Sequence, residues 1–242
     1  MISNGNFVIN RRNGFPLLKI KKLSLSIDNL GFTEEDELRK LPFVFDDYSL
    51  KGNDFEVFPD EVYKVTAKNI DTENGKLSVK DFKILPQMKL KNFQQKFPNK
   101  NLVHFEASEL SFNKTELKNN RISFNEILFS QPKLTLFESK MKKKRSENNL
   151  PYELDLKNVI FQNAQFDLKD FEGKQKLSVK NINASINDFL VNEETIKGKI
   201  PFSYKDYRIK TGDILFKVNE FYQLKMNNLS ANKGDWQFND FS

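Results

Sequence analysis

The sequence contains no cysteine, one histidine and one tryptophan in 242 residues. Without cysteine the chain can form neither a disulfide framework nor a thiolate metal site, and it has no cysteine nucleophile. It also lacks any run of about 18 apolar residues, the minimum for a membrane-spanning helix. The first residues lack the apolar segment of a signal peptide.

Recognised catalytic motifs are missing as well. The single histidine, His104, falls at an outward position of an alternating strand pattern. The sequence contains no G-x-S-x-G, no glycine-rich phosphate loop and no H-E-x-x-H. Acidic pairs could serve as acid and base in principle, but no spacing supports such a role. We therefore expect a protein without enzymatic activity, and we predict no cofactor and no metal.

The net charge of +6 invites a nucleic-acid interpretation, which the distribution of charge argues against. Lysine and arginine are mixed with 33 acidic residues along nearly every segment, as on the solvated face of a sheet. The one dense basic run, residues 142–145, is interpreted as a solvated linker in preference to a phosphate or anionic-lipid contact. No nucleic-acid partner is expected.

The dominant feature that is present is an internal repeat. Residues 1–83 and 160–242 align without a gap at a constant offset of 159, with 22 identities in 83 positions. Paired positions include Asn4 with Asn163 and Tyr63 with Tyr222. The sequence thus divides into a first copy (1–83), an intervening β segment (84–159) and a second copy (160–242). Because the two copies cover only part of a unit, we expect the chain to be a segment of a longer protein.

Alternation of apolar and polar residues predicts strands, and it slips by one residue at regular places. Asn69, Asn158 and Asn228 each stand directly before the apolar residue that resumes the pattern. A slip turns every later side chain to the other face unless a bulge or bend absorbs it. The alternative is a short turn, for which few residues are available.

The pattern therefore predicts an all-β fold: a long, curved antiparallel sheet of about fifteen strands, shaped as a groove and built from a tandem repeat. One or two short helices are expected, at residues 33–41, where Thr33 can cap a helix, and at residues 86–97.

Residues 150–189, LPYELDLKNVIFQNAQFDLKDFEGKQKLSVKNINASINDF, resemble the repeat unit of bacterial AsmA-like envelope proteins of the AsmA/TamB type. The shared features are the "KNV" step, a short N-A-x-F strand and the strand leading into N-I-N-A-S-I. The first copy shows the same order. Residues 83–136 also resemble the family pattern, with a Leu85-Pro86 step, a short helix-like piece and a strand at residues 105–110. The resemblance implies a periplasmic, envelope-located protein held by a transmembrane helix outside this segment. It also implies an apolar groove that holds or conducts lipid acyl chains, or assists outer-membrane assembly, with membrane components as further partners.

The candidate site is the apolar side of the recurrent strands, which we expect to form one concave face. One face of a curved sheet must be covered, either by the chain itself or by a ligand such as lipid. The alternative function is therefore a structural or adhesive β-repeat with a closed core and no lipid. The expected groove residues are the apolar positions at the starts of three recurrent strands: Tyr63, Val65, Tyr152, Leu154, Tyr222 and Leu224.

Overall fold

The computed structural model describes residues 2–28, 47–73, 75–118, 121–141, 153–198 and 200–241. The helix predicted at residues 33–41, the basic run at residues 142–145 and Tyr152 lie outside the described residues. The elements in chain order are β1 (Ile2–Asn10), β2 (Pro16–Asp28), β3 (Asp47–Val57), β4 (Tyr63–Glu73), β5 (Lys76–Pro86), α1 (Leu90–Lys96), β6 (Leu102–Lys118), β7 (Arg121–Ser130), β8 (Lys133–Phe137), β9 (Glu153–Lys169), β10 (Gln175–Val191), β11 (Asp206–Lys210), β12 (Ile214–Lys217), β13 (Gln223–Asn232) and β14 (Asp235–Phe241).

All fourteen described strands belong to one long, curved sheet. From β1 to β6 the strands pair in chain order as an antiparallel meander. Two later positions are each filled by two consecutive strands: β7 and β8 both lie between β6 and β9, and β11 and β12 both lie between β10 and β13. The predicted all-β fold is confirmed, and α1 lies inside the second helix prediction, residues 86–97.

The sheet is mixed, which corrects the expectation of purely antiparallel pairing. β9 pairs in parallel with both β7 and β8. The chain therefore returns to the other end of the sheet between β8 and β9, as any parallel connection requires. Alternation of apolar residues has the same period in parallel and antiparallel strands, so the slip pattern carried no information on strand direction.

The strands of the two sequence copies pair in the same register. In the first copy Phe7 pairs with Ile20 and Leu18 pairs with Val57. Adding 159 to each number gives the pairs of the second copy, Phe166 with Val179 and Leu177 with Phe216. The register shift between β1 and β2 at Gly5 recurs between β9 and β10 at Ala164. The alignment of the two copies in sequence thus corresponds to equivalent strand pairing.

Backbone residues in the left-handed region follow one line across the sheet, which we call the main crease. They occur on β1, β2, β3, β5, β9, β10 and β13 and between β7 and β8, whereas β4 and β6 cross the same line without one. Such φ values are uncommon outside glycine, and asparagine and aspartate adopt them most readily. The main crease contains Asn4, Lys22, Asp54, Asp81, Gln131, Asn163, Asn181 and Asn228, with φ between 46° and 55°. A second, shorter crease contains Lys114 and Asp188.

The creases explain the slips in the sequence pattern. At each crossing two consecutive polar residues separate two apolar ones, as Asn53 and Asp54 separate Gly52 from Phe55. The left-handed residue lets the chain pass both polar residues without turning the next apolar side chain to the other face. The prediction that Asn228 marks a distortion is confirmed by its φ of 55° and by the adjacent register shifts.

Two of the three marker asparagines carry the distortion differently from the prediction. Asn69 and Asn158 lie in pairing without a register shift, and neither is in the left-handed region. The left-handed residue lies instead on the neighbouring strand, at Asp54 in β3 and at Asp188 in β10. The distortion can be carried by either strand of a pair, so the slip locates the crease but not the residue with positive φ.

Candidate functional site

One face of the sheet is apolar along a continuous row that crosses eleven strand positions. Each member pairs directly with the next, and directly paired residues project from the same side of a sheet. With strands about 4.8 Å apart, ten steps span about 48 Å. The row runs through Ile9, Leu18, Val57, Val65, Ile84, Phe105, Leu134, Phe166, Val179, Ile214 and Met226.

A second apolar row lies on the other side of the main crease. It is continuous from β4 to β14, again by direct pairing. We call the surface that carries both rows the apolar face. The second row runs through Ile70, Val79, Leu110, Phe129, Phe161, Ala184, Ile209, Ala231 and Trp236.

Contacts on the apolar face form between neighbouring strands rather than between two facing layers. One hydrophobic cluster is built around Ala67, Val79, Ala107 and Leu110, from β4 to β6, with partners from β3 to β7. Another is built around Ile127, Leu156 and Val159, with partners from β6 to β10. Phe129 and Phe161, on adjacent strands, stack with ring centroids 4.8 Å apart. These clusters are side-by-side packing on one sheet.

The accessible surface agrees with a single layer. The chain exposes 16,908 Å² at 28.4 kDa. A compact monomer of that mass exposes about 11,000 Å². Among the described residues no second sheet or helical layer lies on the apolar face, because all described strands share one sheet and α1 packs at strand ends. Most members of the two rows are only half-buried, and Trp236 is 52% exposed.

The opposite face of the sheet is polar and carries a ladder of charged side chains. Lys64 Nζ forms an ion pair with Glu56 Oε1 at 2.5 Å, and Lys83 Nζ forms one with Glu106 Oε2 at 3.8 Å. His104 Nε2 lies 2.8 Å from Glu106 Oε1, which places the single histidine in this ladder. Water covers such a face without penalty, so the apolar face is the one that requires a covering group.

The most buried charge on the polar face belongs to Asp155. Its side chain is 11% exposed; Arg121 hydrogen-bonds to it, and Lys157 Nζ lies 3.6 Å away. The hydrogen bond from Arg121, with the charge of the Asp155 carboxylate, raises the pKa of Arg121 above its ordinary value. Two exposed cations thus pair with one nearly buried anion. In this arrangement the Asp155 carboxylate already has two cationic partners, so no charge of the cluster is left for a ligand.

One end of the sheet is closed by α1. Phe93 is the most buried residue of α1, at 2% exposure, and it packs with Val62 before β4 and Leu102 at the start of β6. Tyr63 contacts the same cluster, and its hydroxyl accepts a hydrogen bond from Val103 N at 3.1 Å. The helix thus packs against the start of β4 in the first copy and the start of β6 in the intervening segment.

The structure separates the predicted groove residues. Val65 belongs to the first apolar row. Leu224 lies two residues before Met226 on β13 and pairs with Phe216, so it lies beside that row on the same face. Leu154 pairs with Ile122 and Val191, on the far side of the second crease. Tyr63 packs under α1, Tyr222 is 70% exposed in the turn before β13, and Tyr152 lies outside the described residues.

The centre of the apolar face was not singled out from the sequence. Its best-buried members are small or medium residues, such as Ala67, Ala107 and Leu110. A signal was available, because Ala107 and Leu110 flank one of the slips. Extending the slip rule from strand starts to every strand would have identified both rows.

No group of histidine, aspartate or glutamate residues suited to a metal ion occurs within the described ranges. In the same residues the structure contains no helix with the length and apolar character needed to cross a membrane. Comparison with family models, curated proteins and solved structures finds no match to this chain. The geometry of the apolar face is therefore the evidence on which a functional proposal must rest.

Proposed function

We propose that the apolar face binds or conducts the acyl chains of lipids. The observation that carries the proposal is the first apolar row, which is unbroken over eleven strand positions and is half-buried for most of its length. Exposed apolar surfaces of this extent on a folded protein mark a site for a partner or a ligand. An extended row of apolar side chains matches hydrocarbon, which offers no hydrogen bonds to satisfy.

The energetics favour long acyl chains. Each methylene removed from water contributes about 0.8 kcal/mol. Association costs about 4–15 kcal/mol before any net affinity appears. A ligand must then bury about 5–20 methylenes, which the chains of membrane lipids supply and short amphiphiles do not. The first row is also longer than one acyl chain. The row spans about 48 Å, whereas an acyl chain spans half of a bilayer's hydrocarbon core, about 15 Å.

We further propose an envelope location and a role in lipid transfer or outer-membrane assembly. The resemblance of residues 150–189 to AsmA-like repeats supports this part of the proposal. An envelope location would bring the apolar face near the membranes that supply its ligand. The second candidate, a structural repeat with no lipid, is separated from it by the experiment below.

The test is lipid recovery from purified protein, measured by mass spectrometry, for the parent and for charge variants. In Leu224→Glu a carboxylate replaces a half-buried side chain on the apolar face, where it opposes hydrocarbon but reaches water when no lipid is bound. We expect that variant to retain less lipid than the parent while keeping its melting temperature within a few degrees. The double variant Leu154→Glu/Leu224→Glu loses most of the lipid.

Lys225→Glu is the matched control, because it places the same carboxylate on the next residue of β13, on the opposite face, at an exposed position. It should leave lipid recovery unchanged. A parent without lipid contradicts the proposal, and so does equal lipid in Leu224→Glu and Lys225→Glu. Unfolding of Leu224→Glu by several kcal/mol, with no lipid in the parent, would identify a closed core instead.

A further inference from the structure

Two neighbouring aromatic residues are exposed in the turn between β12 and β13. Phe221 is 88% exposed and Tyr222 is 70% exposed, and Val218 in the same turn is 55% exposed. We call these three residues the aromatic tip. Scattered single apolar residues are common on protein surfaces, whereas a contiguous cluster of this kind marks an interaction site.

The backbone of the aromatic tip is fixed by an asparagine turn. Asn219 Oδ1 accepts hydrogen bonds from the backbone N–H groups of Phe221, at 2.9 Å, and Tyr222, at 2.8 Å. Asparagine and aspartate side chains commonly order turns in this way. Hydrogen bonds within the turn therefore order the backbone that carries the two aromatic side chains.

The equivalent turn of the first copy, between β3 and β4, has the same hydrogen bonds. Asp60 Oδ1 accepts from the N–H groups of Val62 and Tyr63, both at 2.8 Å. Asp60, Val62 and Tyr63 correspond to Asn219, Phe221 and Tyr222 at the 159-residue offset. The two turns thus present an apolar side chain and a tyrosine in the same backbone setting.

In the first copy this position is covered by α1. Val62 is only 7% exposed because Phe93 of α1 packs on it, and Phe97 extends the contact. Lys96 Nζ adds an ion pair to Glu61 at 2.5 Å. The glutamate recurs in the second copy as Glu220, which lies 3.2 Å from Lys174 Nζ.

We propose that the aromatic tip is the docking site for a short amphipathic helix of the α1 type, with aromatic residues four positions apart and a lysine beside them. The structure supplies the precedent, since the same turn in the first copy holds such a helix through an apolar contact and a glutamate–lysine pair. Phe221 in place of Val62 offers a larger apolar contact. The inference is independent of the lipid proposal, because it concerns a turn outside the two apolar rows.

The test adds a copy of residues 84–101 directly after Ser242, which is the register that the 159-residue offset specifies. Limited digestion with chymotrypsin, followed by mass spectrometry, measures cleavage after Phe221 and Tyr222. In the parent both bonds should be cut readily. The added segment should slow cleavage at least about tenfold, the change expected when the helix is docked about nine-tenths of the time.

The control carries Phe93→Asp and Phe97→Asp in the added copy only, and it should be cut at the parent rate. Three outcomes overturn the proposal: equal protection by the added segment and by its control, protection by neither, and a parent that resists cleavage at the aromatic tip. If the extended chain does not fold, judged by circular dichroism, synthetic peptides of the two sequences are added to the parent instead. Protection of the parent by lipid vesicles and not by the helix would assign the aromatic tip to a membrane surface.

Discussion

At the scale of single residues, the sheet depends on side chains that tolerate a left-handed backbone. Six of the eight residues of the main crease are asparagine or aspartate. These residues reach the left-handed region at low cost because their short polar side chains bond to nearby backbone or side-chain groups. A β-branched residue at the same φ is strained, because its Cβ substituents crowd the backbone.

Asp81 offers a direct test, since it has φ 49° and an exposed side chain. We expect Asp81→Val to lower the free energy of unfolding by about 1–3 kcal/mol, the cost of holding a non-glycine residue in an unfavourable region. Asp81→Gly should be neutral or slightly stabilising. Denaturant unfolding measures both.

The neighbouring substitution Lys80→Val serves as the control, because Lys80 is exposed on the same strand and is not in the left-handed region. Valine favours strands, so this change should cost less than about 0.5 kcal/mol. A similar decrease in the free energy of unfolding for Lys80→Val and Asp81→Val would show that the crease carries no backbone strain.

At the scale of secondary-structure elements, the sequence contained enough information for strand positions and too little for their order. The slip at Ala107 and Leu110 located the crease in β6 correctly, because side-chain period alone decides which face a residue occupies. The parallel pairing of β9 depends on the path of the chain after β8, which no local pattern records. The same limit applies to Asn158, where the distortion moved to Asp188 on the neighbouring strand.

The candidate site was predictable to a similar degree. Val65 and Leu224 were found from alternation, and the structure places them on or beside one apolar row. Tyr63 and Tyr222 are equivalent in sequence but differ in surroundings, since α1 packs beside only the first. A pattern of residue types cannot reveal whether a distant helix covers a position.

The element that closes the sheet end, α1, is short, and we expect its attachment to depend on one side chain. Phe93→Ala should lower the free energy of unfolding by about 3–5 kcal/mol, because it empties the centre of a buried cluster. Lys91→Ala, on the exposed side of α1, should change it by less than about 0.5 kcal/mol. Denaturant unfolding measures the free energy of unfolding of both variants. An equal change in Phe93→Ala and Lys91→Ala would show that the packing of α1 does not stabilise the fold.

At the scale of the whole molecule, the main consequence of the fold is an apolar face on which the described residues place no second layer. A sandwich covers its apolar face with another sheet, whereas the described strands of this chain all lie in one sheet. The creases allow that sheet to curve while every strand keeps its apolar residues on the same side. Repetition of the strand order then extends the face sideways, so that its width grows with the number of strands.

That geometry leads to a prediction about stoichiometry. A single pocket holds one ligand, but a row spanning about 48 Å is roughly three times the reach of an acyl chain in half a bilayer, about 15 Å. We expect native mass spectrometry of the purified protein to show two or more lipids per chain, with occupancy that rises as lipid is added. Leu224→Glu should remove part of this population, because a carboxylate blocks only the strands near it. A fixed ratio of one lipid per chain, unaffected by added lipid, would indicate a local pocket and exclude a continuous binding face.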